Sequence, residues 1–335
     1  MGLTTIIYAV IIFCILILIH ELGHFVAAKS VGVRVNEFSL GMGPLLFQFA
    51  RGETQYSLRA FPVGGFCRME GEDQESKDDK AFNNKPIWAR AVVVIAGSFM
   101  NLIMAILILA GIAMAVGVAT NGIAQVEPGS PAALAGIVPG DKIVRIEGEK
   151  VSNFRDVARM VSTSQKEAIS LEIQRNKETL AIKTGVIKDD TGRTIIGIKP
   201  EITKSPGAAL QTGAANTFSM ARQMLAYLGQ LFTGRGSMED LVGPVGIVTM
   251  IGDQARIGFL NLLNLTALIS LNLAIVNMLP LPALDGGRLL FLVIRLFTGK
   301  AVSDKVEGQI HMTGMILLLV LMVYILIQDM FRFVI

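Results

Sequence analysis

The stretch Gly2–His24, GLTTIIYAVIIFCILILIHELGH, decides the fold of this chain. Its first part, Gly2–Ile19, contains no Asp, Glu, Lys or Arg, and it is close to the ~20 residues that a helix needs to cross a bilayer. No basic residue precedes the run and no small-residue cleavage site follows it, which disfavours a signal peptide. We therefore expect a membrane-spanning helix that ends in His20-Glu21-Leu22-Gly23-His24.

Three further uncharged runs follow this one: Ala91–Val126, Ile257–Leu284 and Ile310–Gln328. Of the 335 residues, 52% are hydrophobic and 17% are charged, whereas soluble domains have roughly 25% charged residues. The sequence thus predicts a polytopic α-helical membrane protein, with about four transmembrane helices in a lipid bilayer. The net charge of +3 is too small and too dispersed to indicate nucleic-acid binding.

The basic residues predict the orientation of the spans. Of the 30 Lys and Arg residues, nine lie in Lys29–Arg90 and four in Arg288–Lys305. Sixteen more lie between Lys142 and Arg256, in a segment long enough to be translocated regardless of its charge. The positive-inside rule therefore places the first two segments in the cytoplasm. Both termini and residues 120–256 are then expected outside.

The outer segment is predicted to contain a small β-rich domain over residues 120–200 and a tether over 201–256. A brief helix is expected to open at Gly129-Ser130-Pro131 and end near Gly136, and a second helix, capped by Asn153, is expected over Phe154–Val161. In the tether, Ala208–Phe232 could form a helix in the outer membrane interface. The membrane core is then made of residues 1–119 and 257–335. Alternating, strand-like segments are Ile123–Val126, Lys142–Glu147, Ile169–Gln174, Thr179–Ile187 and Thr194–Ile198.

The loop after the first span has the pattern of a β-hairpin. Within Phe38–Phe66, two apolar stretches, Pro44–Phe49 and Tyr56–Phe61, flank a turn at Arg51-Gly52-Glu53. Two interpretations remain open. The hairpin is either a short sheet on the membrane surface or a loop that enters the bilayer, which requires that protein cover its backbone.

His20-Glu21-Leu22-Gly23-His24 is the strongest functional signal. Residues four apart lie on one face of a helix, so both imidazoles can bind a single ion. Glu21 lies beside them and can act on a water held by that ion. Ionisable groups inside a span are costly, which favours a functional role over simple packing.

A catalytic zinc site usually takes three protein ligands, so a third ligand must come from elsewhere. His311 and Asp285 are the candidates. Asp285 follows the third uncharged run, and the prolines and glycines around it break the helix there. Its expected membrane depth equals that of His20 and His24, which favours Asp285. His311 begins the fourth span on the same side, so depth does not exclude it.

With these motifs, the chain resembles the site-2 protease family of intramembrane zinc metalloproteases, and in particular its bacterial members that cleave anti-sigma factors. The resemblance covers nearly the whole chain. Residues 120–200 resemble a single PDZ domain, since Gly136–Ile143 matches the recurring turn and strand of bacterial protease PDZ domains. Further matching motifs are Leu40–Pro44, Phe61–Phe66, Gly97 with Asn101, Gly243–Ile247 and Asn277–Gly287.

The resemblance implies one zinc ion per chain held by His20, His24 and Asp285, with Glu21 as the catalytic base. It also implies that Asn277, together with Gly41 and Gly43, binds substrate. The expected substrates are single-span membrane proteins, such as anti-sigma factors or signal-peptide remnants, that another protease has already trimmed.

The resemblance further implies a location in the bacterial cytoplasmic membrane, with the active site near the cytoplasmic face. The sequence departs from the family at Ser98, where proline is usual. Two alternatives belong to other classes: a membrane-anchored zincin that cleaves soluble peptides, and a non-catalytic PDZ scaffold. The position of the histidines in a span disfavours the first, and the intact Glu21 disfavours the second.

Overall fold

The computed structural model describes residues 2–72, 76–236, 242–299 and 304–333. Contacts divide the chain into a mainly helical unit, Met1–Leu109 with Gly213–Ile335, and a β-rich unit, Ala110–Thr212. The helices are α1 (Leu3–Ser30), α2 (Ile87–Val116), α3 (Pro131–Leu134), α4 (Phe154–Ser162), α5 (Pro206–Phe232), α6 (Pro244–Ile257), α7 (Phe259–Asn277), α8 (Asp285–Thr298) and α9 (Asp304–Phe333).

Four helices in the described part of the chain, α1, α2, α7 and most of α9, are long and apolar enough to span a membrane. This confirms the four predicted spans. Large apolar side chains of α1, such as Ile7, Ile11 and Ile15, are exposed along one side. Such exposure would be costly in water but suits contact with lipid. The opposite side of α1 packs in an apolar cluster with α6 and α7, centred on Leu16, Ile251 and other buried side chains.

The loop between α1 and α2 forms a sheet from β1 (Val35–Arg51) and β2 (Thr54–Met69), which pair antiparallel and reverse at Gly52, as predicted. Both strands also bend back on themselves. Residues 37–40 have residues 55–58 on one side and residues 65–68 on the other. Each extra bend contains glycine with positive φ, which only glycine adopts easily: Gly41 and Gly43 in β1, and Gly64 in β2. The sheet therefore has four short segments, with residues 65–69 at one edge.

The reversals of this sheet lie at different levels of α1. Glu53, in the Gly52 turn, accepts hydrogen bonds from Lys29 and Lys80, which lower its pKa to about 2. At another reversal, the thiol of Cys14 hydrogen-bonds the carbonyl of Pro62. Cys14 and Lys29 are separated by about 22 Å along a helix that rises 1.5 Å per residue. The glycine-containing bends, and not the turn at Glu53, thus approach the middle of α1. This geometry fits a loop that enters the bilayer.

The β-rich unit has a six-stranded antiparallel sheet, a separate two-stranded sheet and two helices. Its main sheet has the strand order β10-β3-β4-β6-β7, with β5 paired to β4. Asn153 caps α4 through its side chain, as predicted, and Ser130 caps α3 in the same way. The strands are β3 (Val118–Val126), β4 (Lys142–Ile146), β5 (Glu149–Lys150), β6 (Ala168–Arg175), β7 (Glu178–Gly185), β8 (Ile187–Lys188), β9 (Thr194–Ile195) and β10 (Ile198–Thr203).

An ion pair between Arg175 and the buried Asp141 stabilises the turn before β4. Arg175 donates two hydrogen bonds of 2.7 Å to Asp141, whose carboxylate also accepts from the amide of Val138 at 2.9 Å. Burial raises the pKa of Asp141, but the bonds from Arg175 and Val138 outweigh it, and the pKa lies below its usual range. At neutral pH the carboxylate is therefore ionised and holds this turn in place.

Residues 201–256, expected to form a tether, contain two helices. The predicted Ala208–Phe232 helix is present as α5; residues 237–241 of the tether lie outside the described part of the chain. Helix α6 packs against α1, α7 and α9 and buries Gly246 and Ile251. Asp329 of α9 accepts hydrogen bonds from the amides of Gly243 and Gly246 at 3.2 and 2.8 Å, and so caps the start of α6. The second half of the expected tether therefore belongs to the helical unit.

Candidate metal centre

Two histidines of α1 point into the same buried space. The Nε2 atoms of His20 and His24 are 3.2 Å apart, and their rings meet edge to face. Both side chains are buried, at 7% and 8% exposure. His24 Nδ1 donates to the backbone carbonyl of Val93 at 2.8 Å, which leaves the lone pair of Nε2 facing His20. Two ring nitrogens this close are satisfied when a proton or a metal cation lies between them.

Asp285 brings a carboxylate to the same point. Its Oδ2 lies 3.3 Å from His20 Nε2 and 3.4 Å from His24 Nε2. All three ligand atoms lie within 4.8 Å of one another, and Oδ2 is buried without a hydrogen-bond donor. Asp285 lies beyond the third span, which ends at Asn277, whereas the sequence pattern indicated that Asp285 ends this span. It is the first residue of α8, and a loop of residues 278–284 separates this helix from α7.

That loop is compact because small residues let its backbone fold tightly. A Cβ atom on Gly286 would overlap the carbonyl of Leu279, and one on Gly287 would overlap that of Leu281. Ala283 has a positive φ of 72°, which is strained for any residue except glycine. Helix α8 therefore starts in close contact with the loop that precedes it. This contact holds Asp285 beside the histidines.

His311, the alternative third ligand, lies away from this cluster. Its Nδ1 accepts a hydrogen bond of 2.8 Å from the amide of Ala283. One turn further along α9, Gly314 touches Pro282 so closely that a Cβ there would overlap the proline ring. His311 thus contacts the loop that carries Asp285, and the sequence pattern offered no sign of this role.

The histidine rings fit only because α2 has no side chain opposite them. A Cβ atom on Gly97 would overlap His24 Nε2 and come within 2.8 Å of His20 Cε1. Gly23, between the histidines, lies against the carbonyl of Ala96 in the same way. These glycines bring α1 and α2 into backbone contact at the level of the rings.

Glu21 lines the same cavity, of about 380 Å³, together with residues of the sheet edge. The amide of Cys67 hydrogen-bonds its carboxylate. Gly65 is also beside it, because a Cβ on Gly65 would lie 3.6 Å from Glu21 Cγ. The cavity is further bordered by Arg288, which forms an ion pair with Glu72. The edge segment of the sheet therefore runs directly past the acid and the two histidines.

The three residues expected to bind substrate lie in two places. Asn277, the last residue of α7, has its Nδ2 3.4 Å from His20 Nε2 and so belongs to the cluster. Gly41 and Gly43 lie at a bend of β1 opposite Phe61, where φ is 84° and 85°. They do not line the cavity of the histidines.

The residues present fit a zinc ion. Two imidazole nitrogens and one carboxylate oxygen are the protein ligands of several catalytic zinc sites, where a fourth position stays open for water. A cation here would satisfy Oδ2 of Asp285 and the facing nitrogens of His20 and His24. Among the residues that the structure describes, these three form the one group of His, Cys, Asp or Glu side chains close enough to hold a metal.

Comparisons with known proteins give the family of the chain. The model of peptidase family M50 matches residues 8–321. The chain belongs to peptidase family M50. A protein of Clostridium acetobutylicum that carries the name of a zinc metalloprotease is 37% identical over 334 residues, and the alignment covers 98% of each chain. A protein of Clostridium perfringens with the same kind of name is 38% identical over 327 residues, or 97% of this chain and 98% of the other.

RasP of Bacillus subtilis, named as a regulator of sigma-W protease, is 30% identical over 419 aligned positions that cover 99% of both chains. Among solved structures, the PDZ domain of an SdrC-like protein of Listeria monocytogenes matches 25% of this chain and 86% of its own, with 19% identity and a TM-score of 0.22. As an M50 peptidase, the protein is a zinc-dependent metalloendopeptidase of the site-2 type.

Replacing Gly97 by alanine should abolish zinc binding, because the new methyl group occupies the space of the His24 ring. Gly111 of the same helix is a matched control, since a Cβ there meets nothing within 4 Å. We expect Gly111→Ala to bind zinc like the wild type. Metal content after purification, measured by atomic emission, distinguishes the two variants. Full zinc occupancy in Gly97→Ala would show that the rings are placed differently.

Asp285→Asn should weaken zinc binding strongly, by more than the ~10–100-fold that losing a supporting partner of a ligand typically costs. His311→Ala should leave the affinity nearly unchanged, because Gly286 and Gly287 still hold the loop. Competition with a chromophoric chelator measures both affinities. The reverse order of effects would make His311 the third ligand.

Proposed function

We propose that the protein hydrolyses peptide bonds inside the membrane-spanning segments of single-span membrane proteins. The observation that carries this proposal is the convergence of His20, His24 and Asp285 next to Glu21, in a unit built from helices long enough to span a membrane. In this proposal the first three hold one zinc ion, and Glu21 is the general base. Bound zinc supplies a water of lowered pKa and polarises the scissile carbonyl.

Glu21 would take a proton from the attacking water and then deliver it to the leaving amine. The Cys67 amide fixes the carboxylate that does so, since it hydrogen-bonds Glu21 from the sheet edge. The side chain of Asn277 lies at the cluster and can donate a hydrogen bond to the substrate. Each of these groups belongs to a different element, α1, β2 or α7, so the site depends on the packing of the whole helical unit.

A helical substrate cannot be attacked directly, because its peptide groups are engaged in the hydrogen bonds of its own helix. Residues 65–69 form a sheet edge beside Glu21, and a substrate segment could add there as an extended strand. The edge would replace the hydrogen bonds lost on unwinding. Gly41 and Gly43 would then affect substrate binding indirectly, because they form the bend of the neighbouring strand β1.

We place the protein in the cytoplasmic membrane of a bacterium, with its site near the cytoplasmic face and both termini outside. The distribution of Lys and Arg supports this orientation, as nine of them lie in Lys29–Arg90, from the end of α1 to the start of α2. The relative named as a regulator of sigma-W protease favours anti-sigma factors or similar proteins as substrates. The alternatives of a zincin for soluble peptides and a non-catalytic scaffold are less consistent with a site flanked by spanning helices and containing an intact Glu21.

Glu21→Gln should keep zinc but lose cleavage, because glutamine cannot accept the proton. Loss of a general base typically lowers the rate by ~10²–10⁴. The test reconstitutes the protein in liposomes with a single-span substrate and measures zinc content and product formation in parallel. Glu53→Gln, in the distant Gly52 turn, is the control for a removed carboxylate. Wild-type cleavage by Glu21→Gln would contradict the proposed mechanism.

We further propose that residues 120–200 are a PDZ domain that limits access to substrates already trimmed by another protease. The strand order with two helices and the Gly136–Ile143 turn support the PDZ assignment. The domain also has a largely apolar groove between α4 and residues 194–198, lined by Phe154, Val161 and Ile196 among others. Such a groove could instead capture a newly exposed C-terminus, which is the competing role.

A deletion separates these two roles. Val118 pairs with Thr203, so the ends of the sheet lie side by side and a short Gly-Ser linker can replace the residues between them. If the domain limits access, the shortened protein should cleave trimmed substrate normally and untrimmed substrate better than the full chain does. Slower cleavage of trimmed substrate would favour C-terminus capture. Unchanged rejection of untrimmed substrate would refute the access role; zinc content verifies that the shortened protein is intact.

A further inference from the structure

The two histidines of the site are supported differently from α2. A histidine that binds metal through Nε2 carries its remaining proton on Nδ1, and that proton needs an acceptor. For His24 the acceptor is the backbone carbonyl of Val93, at 2.8 Å. For His20 the group in contact with Nδ1 is the side-chain amide of Asn101, at 3.3 Å.

Asn101 is unusually constrained for a polar residue in a spanning helix. It is fully buried, at 0% exposure, and its Oδ1 has no hydrogen-bond partner. Its backbone carbonyl accepts a hydrogen bond of 2.8 Å from Ser270 of α7, another fully buried residue. This bond joins α2 to α7 at Asn101, and turning the side-chain amide about its own axis requires no movement of the backbone. A buried polar atom without a partner costs free energy, which indicates that the amide has a use.

The contact as it stands places Nδ2 of Asn101, a donor, against His20 Nδ1. With zinc on Nε2, His20 Nδ1 carries a proton, and two donors would then face each other. Turning the amide by 180° exchanges Nδ2 and Oδ1. The orphaned oxygen then becomes the acceptor that the metal-bound imidazole requires.

We propose that Asn101 is a positioning residue for His20: its amide oxygen accepts the Nδ1 proton and directs the Nε2 lone pair toward the zinc. The inference rests on the metal site proposed above. It gives the two histidines equivalent support from one helix, a backbone carbonyl for His24 and a side-chain carbonyl for His20. Asn101 itself touches neither the zinc nor the substrate, so its effect should be on metal affinity and ligand geometry.

Two variants of similar size separate an acceptor role from simple packing. Asn101→Leu fills the space but removes the acceptor, and it should lower zinc affinity by ~10–100-fold. Asn101→Asp keeps an oxygen at the same place and should bind zinc at least as tightly as the wild type. The affinity is measured on full-length protein in detergent by chelator competition. The visible absorption of the cobalt-loaded protein should change in Asn101→Leu and be retained in Asn101→Asp.

Ser270→Ala is the matched control. It removes the hydrogen bond to the backbone of Asn101 but leaves the Asn101 side chain in place, so zinc affinity should not change. Wild-type affinity in Asn101→Leu would overturn the inference. An equal loss in Asn101→Leu and Asn101→Asp, with unchanged melting temperatures, would also overturn it, because it would leave no role for the acceptor.

A further test uses only the wild-type protein, so it does not depend on whether a variant folds. The chain has three histidines, so nitrogen NMR of histidine-labelled, zinc-loaded protein can assign the proton of each ring. For His20 we expect the proton on Nδ1 and the metal on Nε2; the opposite tautomer would refute the inference. If the wild type binds no zinc at His20, the proposed function fails as well. If zinc binds there but Asn101 has no effect, only this inference fails.

Discussion

The close approach of α1 to α2 at Gly97 is the constraint on which the rest of the helical unit depends. Two imidazole rings lie between these helices, and a Cβ on Gly97 would overlap one of them. The rings are buried between these helices, so their nitrogens need polar partners from the protein. The neighbouring helices must supply every partner. Val93 and Asn101 come from α2, and Asp285 comes from the start of α8.

The sheet between α1 and α2 depends on the same geometry. Its edge segment, residues 65–69, passes the site so closely that the Cys67 amide hydrogen-bonds Glu21. Three bends or turns bring it there. The Glu53 turn stays near the end of α1 with Lys29 and Lys80, while the glycine-containing bends approach the middle of the helix. A backbone edge is thereby brought beside Glu21 and the two histidines.

Much of this could be predicted from the sequence, because it rests on local patterns. Uncharged runs predicted the four spans, and Asn153 predicted the cap of α4. The spacing of His20 and His24 predicted their common face, since a helix repeats every 3.6 residues. Asp285 was favoured over His311 from helix-breaking residues, and the structure places it at the histidines.

What the sequence did not show depends on contacts between distant segments. The four-segment sheet pairs residues as far apart as Val35 and Met69, and the hairpin pattern revealed only the turn at Gly52. The cap of α6 by Asp329 joins two helices that no local pattern relates. The roles of His311 and Asn101 were hidden for the same reason, because each acts on a residue far away in the chain.

The central claim is that this site cuts peptide bonds within a membrane-spanning segment. The most direct measurement is mass spectrometry of the products formed from a single-span substrate in liposomes that contain the purified, zinc-loaded protein. The account predicts one principal cut inside the apolar segment, in its cytoplasmic half, and no cut after zinc is removed with a chelator. Cleavage only outside the apolar segment, or cleavage that persists without zinc, would contradict it.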